Sequence, residues 1–184
     1  MHAVDNEPHR IIAGLVMGSL HGRRRRVAWI LILIVDVGIL AWGAMAAIAP
    51  DHLTGPGGKP ILTAGYEGYS GGSWAELAAA SPMAARYMVV LFRMYGVFNA
   101  VFGSIASAVA VTAFRRGDVW AWWTLLVTNT IALVSAMTYD RIVNAIGPFE
   151  LTEYLGLAII FAALAITAPL RSPARTSNVG SFAA

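Results

Sequence analysis

"RRRRVAWILILIVDVGILAWGAMAAIA", residues 23–49, joins four consecutive arginines to an apolar run in which Asp36 is the one charged residue. A helix needs roughly 20 apolar residues to cross a hydrocarbon core about 30 Å thick, and residues 27–49 meet that length. Arginine clusters flanking a span are retained on the cytoplasmic side of a membrane. The stretch therefore predicts a transmembrane helix that begins at a cytoplasmic, basic end.

The composition of the whole chain agrees with a membrane location. Of its 184 residues, 58% are hydrophobic and 12% are charged, and the mean hydropathy is +0.64, which is too apolar for an ordinary soluble domain. The chain has no cysteine, which excludes disulfides and thiolate metal sites. The four histidines lie outside the apolar runs, so we expect neither a metal nor a cofactor within the membrane.

Three further apolar runs are candidate spans: residues 84–114, 119–139 and 151–170. Arg115 and Arg116 follow the second run, and Arg171 and Arg175 follow the fourth, so every dense basic cluster lies at the same end of the helices. We predict an all-α integral membrane protein, a four-transmembrane-helix bundle with both termini cytoplasmic. Its predicted parts are a cytoplasmic segment 1–26, a membrane domain 27–170 with an outer loop 50–81, and a cytoplasmic tail 171–184.

The net charge of +3 does not indicate nucleic-acid binding, because the basic residues cluster beside the apolar runs and are not spread over a face with interleaved aromatic residues. Arginine outnumbers lysine twelve to one, with Lys59 the one lysine, and alanine and glycine are abundant. This usage is typical of GC-rich bacterial genomes. We therefore expect a multi-pass protein of a bacterial plasma (inner) membrane, surrounded by the lipid bilayer.

Local signals add detail to this outline. "GSWAEL", residues 72–77, predicts a short helix in the outer loop with Ser73 as its N-cap. Ser81 and Pro82 predict the start of the second span. Residues 11–20 are too short to span, and either lie along the cytoplasmic interface or belong to a disordered tail. An interfacial aromatic belt is predicted from Trp120, Trp122 and Trp123.

Several charged residues are predicted to lie at one level near the outer ends of the helices. Arg93 lies 22 residues before Arg115, and Asp140 lies 22 residues after Asp118. At about 1.5 Å of rise per residue, both are about 33 Å from the cytoplasmic ends of their helices, close to the outer hydrocarbon boundary. The fourth span begins at the same boundary. The outer level therefore holds Arg93, Asp140, Arg141, Glu150 and Glu153.

Small residues form a line along the second span, which we call the glycine stripe: Gly96, Ala100, Gly103 and Ser107. Small residues let transmembrane helices approach closely, so the stripe predicts a packing face. Arg93 continues the stripe outward. We therefore expect Arg93 to point into the bundle and to pair with Asp140 or Glu153.

Two polar residues are predicted to lie near mid-membrane. Asp36 is ten residues beyond Arg26, and Asn129 is eleven beyond Asp118. An ionised carboxylate at that depth is costly unless it is paired or hydrated. We expect Asp36 to be protonated or hydrogen-bonded inside the bundle, either as an interhelical hydrogen bond or as part of a proton relay.

Eight residues are candidate ligand-binding residues: Arg93, Asp140, Arg141, Glu150, Glu153, Tyr154, Asp36 and Asn129. Two interpretations of the outer level stay open. In the structural one, an ion pair of Arg93 fixes helix register and the other charges mark the water boundary. In the functional one, the charges line a polar pocket that opens outward beneath the loop 50–81.

"RMYGVFNAVFG", residues 93–103, and "AFRRGDVWAWW", residues 113–123, place an arginine and glycines at the start of a span and tryptophans after a basic turn. With the four-span layout of residues 27–170, these segments resemble DoxX-like small bacterial membrane proteins. The resemblance implies a four-helix bundle and brings no catalytic motif.

Three functions are weighed on these residues. The preferred one is a membrane protein whose outward-facing polar pocket binds a small amphipathic or lipid-like ligand. The first alternative is a membrane-embedded enzyme in which Asp140 or Glu153 is the general acid/base and Arg93 holds an anionic or carbonyl oxygen. The second alternative is an accessory subunit of a larger membrane complex, or a homo-oligomer, that uses small-residue faces as subunit interfaces.

Overall fold

The computed structural model describes residues 7–144, 146–147 and 151–168, with side chains from residue 22 onward. Within these ranges the chain forms six α-helices: α1 (Glu7–Ile48), α2 (Ile61–Ser70), α3 (Trp74–Ala80), α4 (Pro82–Val109), α5 (Val119–Ile142) and α6 (Leu151–Ala165). Two 3₁₀ turns, Pro50–His52 and Pro56–Gly58, precede α2, and a π-helical turn, Ala110–Phe114, extends α4. The all-α prediction is confirmed for this part of the chain.

Three of the described helices are long and apolar enough to cross a membrane: Gly22–Ile48 within α1, Pro82–Phe114, and Val119–Ile142. The fourth apolar run forms α6, which has 15 residues in the described range and is therefore about 23 Å long. Helix α1 begins at Glu7, so the backbone of residues 11–20 continues the first membrane-length helix toward the N-terminus.

Helices α1 and α4 pack together most extensively, and glycines bring their backbones into contact. A Cβ atom on Gly96 would lie 2.5 Å from the backbone nitrogen of Ala47, and one on Gly103 would lie 2.6 Å from the carbonyl oxygen of Asp36. Gly43 of α1 faces Gly96 in the same way. The glycine stripe is thus confirmed as a packing face, and its partner is α1.

The apolar core lies toward the end of the bundle formed by residues 23–26 and 115–118, which we call the basic end. Arg25 Nη1 donates a hydrogen bond to the carbonyl oxygen of Arg116 there, at 3.1 Å. The core joins four helices through fully buried side chains, among them Ile32, Ala110, Leu125 and Ile160. Helix α6 packs on both α1 and α5, whereas α4 and α5 meet only sparsely.

The tryptophans near the basic end divide into two groups. Trp120 and Trp123 are exposed, as expected for an interfacial belt. Trp122 is instead part-buried, and its indole N–H donates to the carbonyl oxygen of Leu164 at 2.9 Å. The prediction of a belt residue is therefore wrong for Trp122, because its polar atom satisfies a carbonyl in the last turn of α6.

Residues 50–81 fold into a cap over the opposite end of the bundle, which we call the capped end. Ser73 Oγ accepts a hydrogen bond from the Ala75 backbone N–H at 3.2 Å, so the predicted N-cap of α3 is confirmed. Pro82 begins α4 directly after Ser81, also as predicted.

Glu67 of α2 joins the two ends of the cap. Its carboxylate accepts from Lys59 Nζ at 2.5 Å and from the Trp74 backbone N–H at 3.2 Å. These bonds hold the pKa of Glu67 below its ordinary value, with the Lys59 hydrogen bond as the largest cause. Helix α2 packs on the end of α5. Because Gly68 has no side chain, the carbonyl group of Val143 can approach its backbone closely.

Candidate functional site

Two adjoining hollows lie between the helices near the capped end. The first, which we call the central cavity, has a volume of about 300 Å³ and is bounded by Val35 of α1, Asn99 of α4 and Gly156 of α6. The second, the capped-end pocket, has a volume of about 30 Å³ and lies beneath Leu62 of α2. Trp42 and three further residues, Tyr95, Ala136 and Glu153, line both hollows, so the two hollows adjoin.

A third and larger hollow separates α4 from α5, and we call it the lateral cleft. Its volume is about 560 Å³, and it shares Tyr95 and Ala136 with both the central cavity and the capped-end pocket. The cleft exists because the glycine stripe of α4 packs against α1. The adjacent flank of α4, which carries bulky side chains, therefore lies toward α5 and keeps the two helices apart. That flank consists of Met88, Leu91, Phe92, Tyr95, Phe98, Asn99 and Phe102.

Aromatic rings dominate the wall between the hollows. The Trp42 ring contacts the ring of Tyr95 edge to face, with centroids 5.6 Å apart, and contacts the ring of Phe92 in the same way at 6.2 Å. Such edge-to-face pairs add to the stabilisation that burial of the rings provides. They fix α1 and α4 at the level where the polar side chains of the site begin.

Two carboxyl groups from different helices meet at the capped-end pocket. Asp140 of α5 is buried and Glu153 of α6 is half-buried, and both line this pocket together with Tyr95 and Tyr139. Glu153 also lines the central cavity. The sequence predicts that Asp140 and Glu153 lie at the same level along the helix axes. Their shared pocket agrees with this prediction.

Arg93 does not join these acids, so the prediction that it points into the bundle is wrong. Its side chain is exposed, and none of the ion pairs within the described residues links it to Asp140 or Glu153. A helix turns about 100° per residue, which puts Arg93 about 60° to one side of Gly96 and Asn99 about 60° to the other. The site lies on the Asn99 side, and Arg93 faces away from it.

Two further candidates, Arg141 and Tyr154, are not among the described lining of the three hollows. Arg141 is exposed, and its Nε donates to the Tyr154 hydroxyl oxygen at 3.3 Å. This bond ties the end of α5 to the first turn of α6, so both residues have a structural contact at the rim. Glu150 lies outside the described residues.

Asp36 and Asn129 form a separate polar pair deeper in the bundle. Both side chains are 0% exposed, which confirms the interior position expected for Asp36. The Asn129 amide lies beside the Asp36 carboxyl, but the atoms of the two groups lack a hydrogen bond of ordinary geometry. The pair lies just below the central cavity, since Val35 and Ile39, on either side of Asp36 in α1, line that cavity.

Of the described lining of the central cavity and the capped-end pocket, the eight predicted site residues include only Asp140 and Glu153. The unpredicted lining residues include Trp42, Tyr95, Asn99 and Tyr139. A sequence signal for part of this set does exist. Phe92, Tyr95, Asn99 and Phe102 follow a 3-4-3 spacing and therefore share one helix face, directly beside the glycine stripe. A large aromatic flank next to a packing face is what keeps a neighbouring helix at a distance.

Within the described residues, no group of three or more histidine or acidic side chains is placed to hold a metal ion. Comparison with known proteins gives no relative from which a role can be carried over. No family model, curated protein or solved structure matches the chain. The function is therefore argued from the geometry of the hollows.

Proposed function

We propose that this chain is a four-span protein of a bacterial plasma membrane whose central cavity and lateral cleft bind a small amphipathic or lipid-like ligand. In this proposal α6 and the apolar residues that follow it form the fourth span, both termini are cytoplasmic, and the capped end faces outward. The observation that carries the proposal is an apolar, aromatic-walled cleft that leads to a pocket with two carboxyl groups.

The shape and chemistry of the hollows support an amphipathic ligand. Small-molecule sites in proteins are typically clefts of about 300–1,000 Å³ with apolar walls and few polar groups. The lateral cleft and central cavity fall in this range, and their polar groups gather at the capped end. An amphiphile placed with its head group near Asp140 and its tail along Phe98 matches both parts.

Filling the site tests the proposal. Ala136 lines all three hollows, so Ala136→Phe places a ring where they meet. Val134 on the same helix is 44% exposed and lines none of them, which makes Val134→Phe a matched control. We expect lipids and added amphiphiles to be retained by the wild type and by Val134→Phe in nanodiscs, and to be lost from Ala136→Phe, as measured by native mass spectrometry. Equal retention by all three proteins would refute the proposal.

Catalysis is a second candidate, because Asp140 and Glu153 share one pocket and are therefore placed to exchange protons with one substrate. In this version Arg93 takes no part, since it is exposed on the other flank of α4. An enzyme would release a chemically changed amphiphile, so the mass of the bound molecule before and after incubation separates catalysis from binding.

The accessory-subunit alternative is weakened by the packing of α1 on α4. The small-residue face proposed as a subunit interface is buried within the chain at Gly96 and Gly103. The DoxX-like relationship stays a prediction from the segments at residues 93–103 and 113–123.

A further inference from the structure

We infer that the site selects amphiphiles with a cationic head group, an ammonium or quaternary ammonium group held by Asp140 and Glu153 beneath the cap. This inference rests on the proposed function and adds the class of ligand. It follows from the charge of the lining, from its aromatic rings and from the length of the cleft.

The charge of the site favours a cation. Asp140 and Glu153 supply two carboxyl groups, and the described lining of the three hollows contains no lysine, arginine or histidine. Three basic residues of the capped end are not part of this lining: Lys59 bonds to Glu67, Arg141 bonds to Tyr154, and Arg93 is exposed on the far flank of α4. Low-dielectric walls strengthen the attraction between such a lining and a cation.

Aromatic rings surround the same pocket. Trp42, Tyr95 and Tyr139 line it together with the two acids, and the Trp42 and Tyr95 rings are nearly perpendicular, at 80°. Ring faces attract ammonium groups, and quaternary ammonium ligands are recognised in this way without hydrogen-bond donors. Where the capped-end pocket joins the central cavity, Glu153, Trp42 and Tyr95 line both, and we place the head group there.

The lateral cleft accounts for the tail. Its α4 wall runs from Met88 to Phe102, about 21 Å along the helix axis, which is more than half the thickness of a hydrocarbon core about 30 Å thick. Apart from Asn99 this wall is apolar or aromatic. An extended hydrocarbon chain lying in the cleft therefore stays within the membrane while its head group reaches the acids.

Three amphiphiles with the same twelve-carbon tail test the head-group selectivity: dodecyltrimethylammonium, dodecyl maltoside and dodecyl sulfate. Binding to the full-length protein is measured by native mass spectrometry and by thermal shift in nanodiscs of zwitterionic lipid. We expect the cationic amphiphile to bind about tenfold or more tightly than the other two, the range of a desolvated cation–π and charge contact. The preference should fall markedly in the Asp140→Asn/Glu153→Gln protein, to the part that the unchanged aromatic rings supply.

The controls separate this inference from the proposed function. Ala136→Phe should lose all three amphiphiles, and Arg93→Gln should keep the wild-type preference. If the wild type binds the neutral or anionic amphiphile as tightly as the cationic one, and Ala136→Phe still loses them, the head-group inference is refuted and the proposed site stands. If Ala136→Phe binds all three like the wild type, both are refuted. The wild-type comparison decides the question even where the double variant fails to fold.

Discussion

Asp36 and Asn129 are the clearest single-residue feature of the bundle, because both are fully buried and lie side by side on α1 and α5. Removing one of two adjacent buried polar groups leaves the other without its neighbour, at a cost of about 1–3 kcal/mol. Polar contacts between membrane helices contribute about 0.6 kcal/mol on average. We predict that Asp36→Ala and Asn129→Ala each destabilise the fold and show a coupling energy of about 0.5–1.5 kcal/mol.

The coupling is measured by unfolding the wild type, both single variants and the double variant in mixed micelles containing SDS. Asp36→Asn serves as the conservative control, since it keeps the size and the polarity of the side chain, and we expect it to fold like the wild type. Strictly additive costs in the cycle would show that the two residues do not support each other.

For Arg93, in contrast to Asp36 and Asn129, we predict almost no effect of substitution on stability. Its side chain is exposed, and substitutions at such positions usually change stability by no more than about 0.5 kcal/mol. We therefore expect Arg93→Ala to unfold at nearly the same SDS fraction as the wild type, and to show no coupling with Asp140→Ala. A loss of about 3–5 kcal/mol, the cost of breaking a buried ion pair, would instead place Arg93 inside the bundle.

At the scale of elements, the contact between α1 and α4 depends on glycine. A Cβ on Gly96 would meet the backbone of Ala46 and Ala47 at 2.8 and 2.5 Å, whereas one on Gly38 would meet nothing within 4 Å. We predict that Gly96→Ala destabilises the protein by about 1–3 kcal/mol through overpacking. Gly38→Ala should stabilise it by up to about 1 kcal/mol through helix propensity. The unfolding midpoints of the two variants measure whether each change stabilises or destabilises the protein. If both variants shift the midpoint in the same direction, the close packing of α4 on α1 at Gly96 is contradicted.

The cap formed by α2 and α3 is predicted to loosen in acid. Since hydrogen bonds hold the pKa of Glu67 below its ordinary value of 4.5, the stability they add is fully present above that pH and is lost as the pH falls below it. Hydrogen exchange of residues 61–70, corrected for the intrinsic pH dependence of exchange, should therefore accelerate below about pH 4.5.

Glu67→Gln provides the control for the cap. It removes the titrating carboxyl group, so its exchange at residues 61–70 should be faster than that of the wild type at neutral pH and should change little with acid. If the wild type shows the same protection at pH 3 as at pH 7, Glu67 does not hold the cap.

For the molecule as a whole, the basic residues imply an orientation that labelling tests. Ser70 is exposed in the cap and Val119 is 53% exposed at the basic end. With the basic end cytoplasmic, a cysteine at Ser70 should react with a membrane-impermeant maleimide in intact cells. A cysteine at Val119 should react only with a permeant reagent. The reverse pattern would invert the proposed topology.

The sequence was sufficient for features that depend on composition and spacing along one helix. Three of the four predicted membrane-length runs, the N-cap at Ser73 and the packing role of Gly96 and Gly103 are of this kind, and the structure agrees with each of these. The direction of Arg93 was mispredicted because a stripe of small residues has two flanks. Which flank faces the interior depends on where α5 and α6 lie, and no spacing within α4 contains that information.

The hollows themselves also lay beyond sequence reasoning, since a volume between helices is a property of how they diverge. Asp140 and Glu153 were placed at one level by counting, yet the count gave no indication that Trp42 and Tyr95 would lie beside them. Such neighbours come from the packing of α1 on α4, which brings together residues more than fifty positions apart.

The sparse contact between α4 and α5 has a consequence for how any binding constant is defined. The rim residues Leu91, Phe98 and Tyr139 are 47%, 65% and 52% exposed on the surfaces of membrane-length helices. With the proposed function and membrane location, an amphiphile dissolved among the acyl chains would enter the lateral cleft sideways, without returning to water. The reservoir of the proposed ligand would then be the bilayer, and occupancy of the site would follow the mole fraction of amphiphile among the lipids. Titrations at different lipid amounts should disagree when plotted against total aqueous concentration and coincide when plotted per lipid.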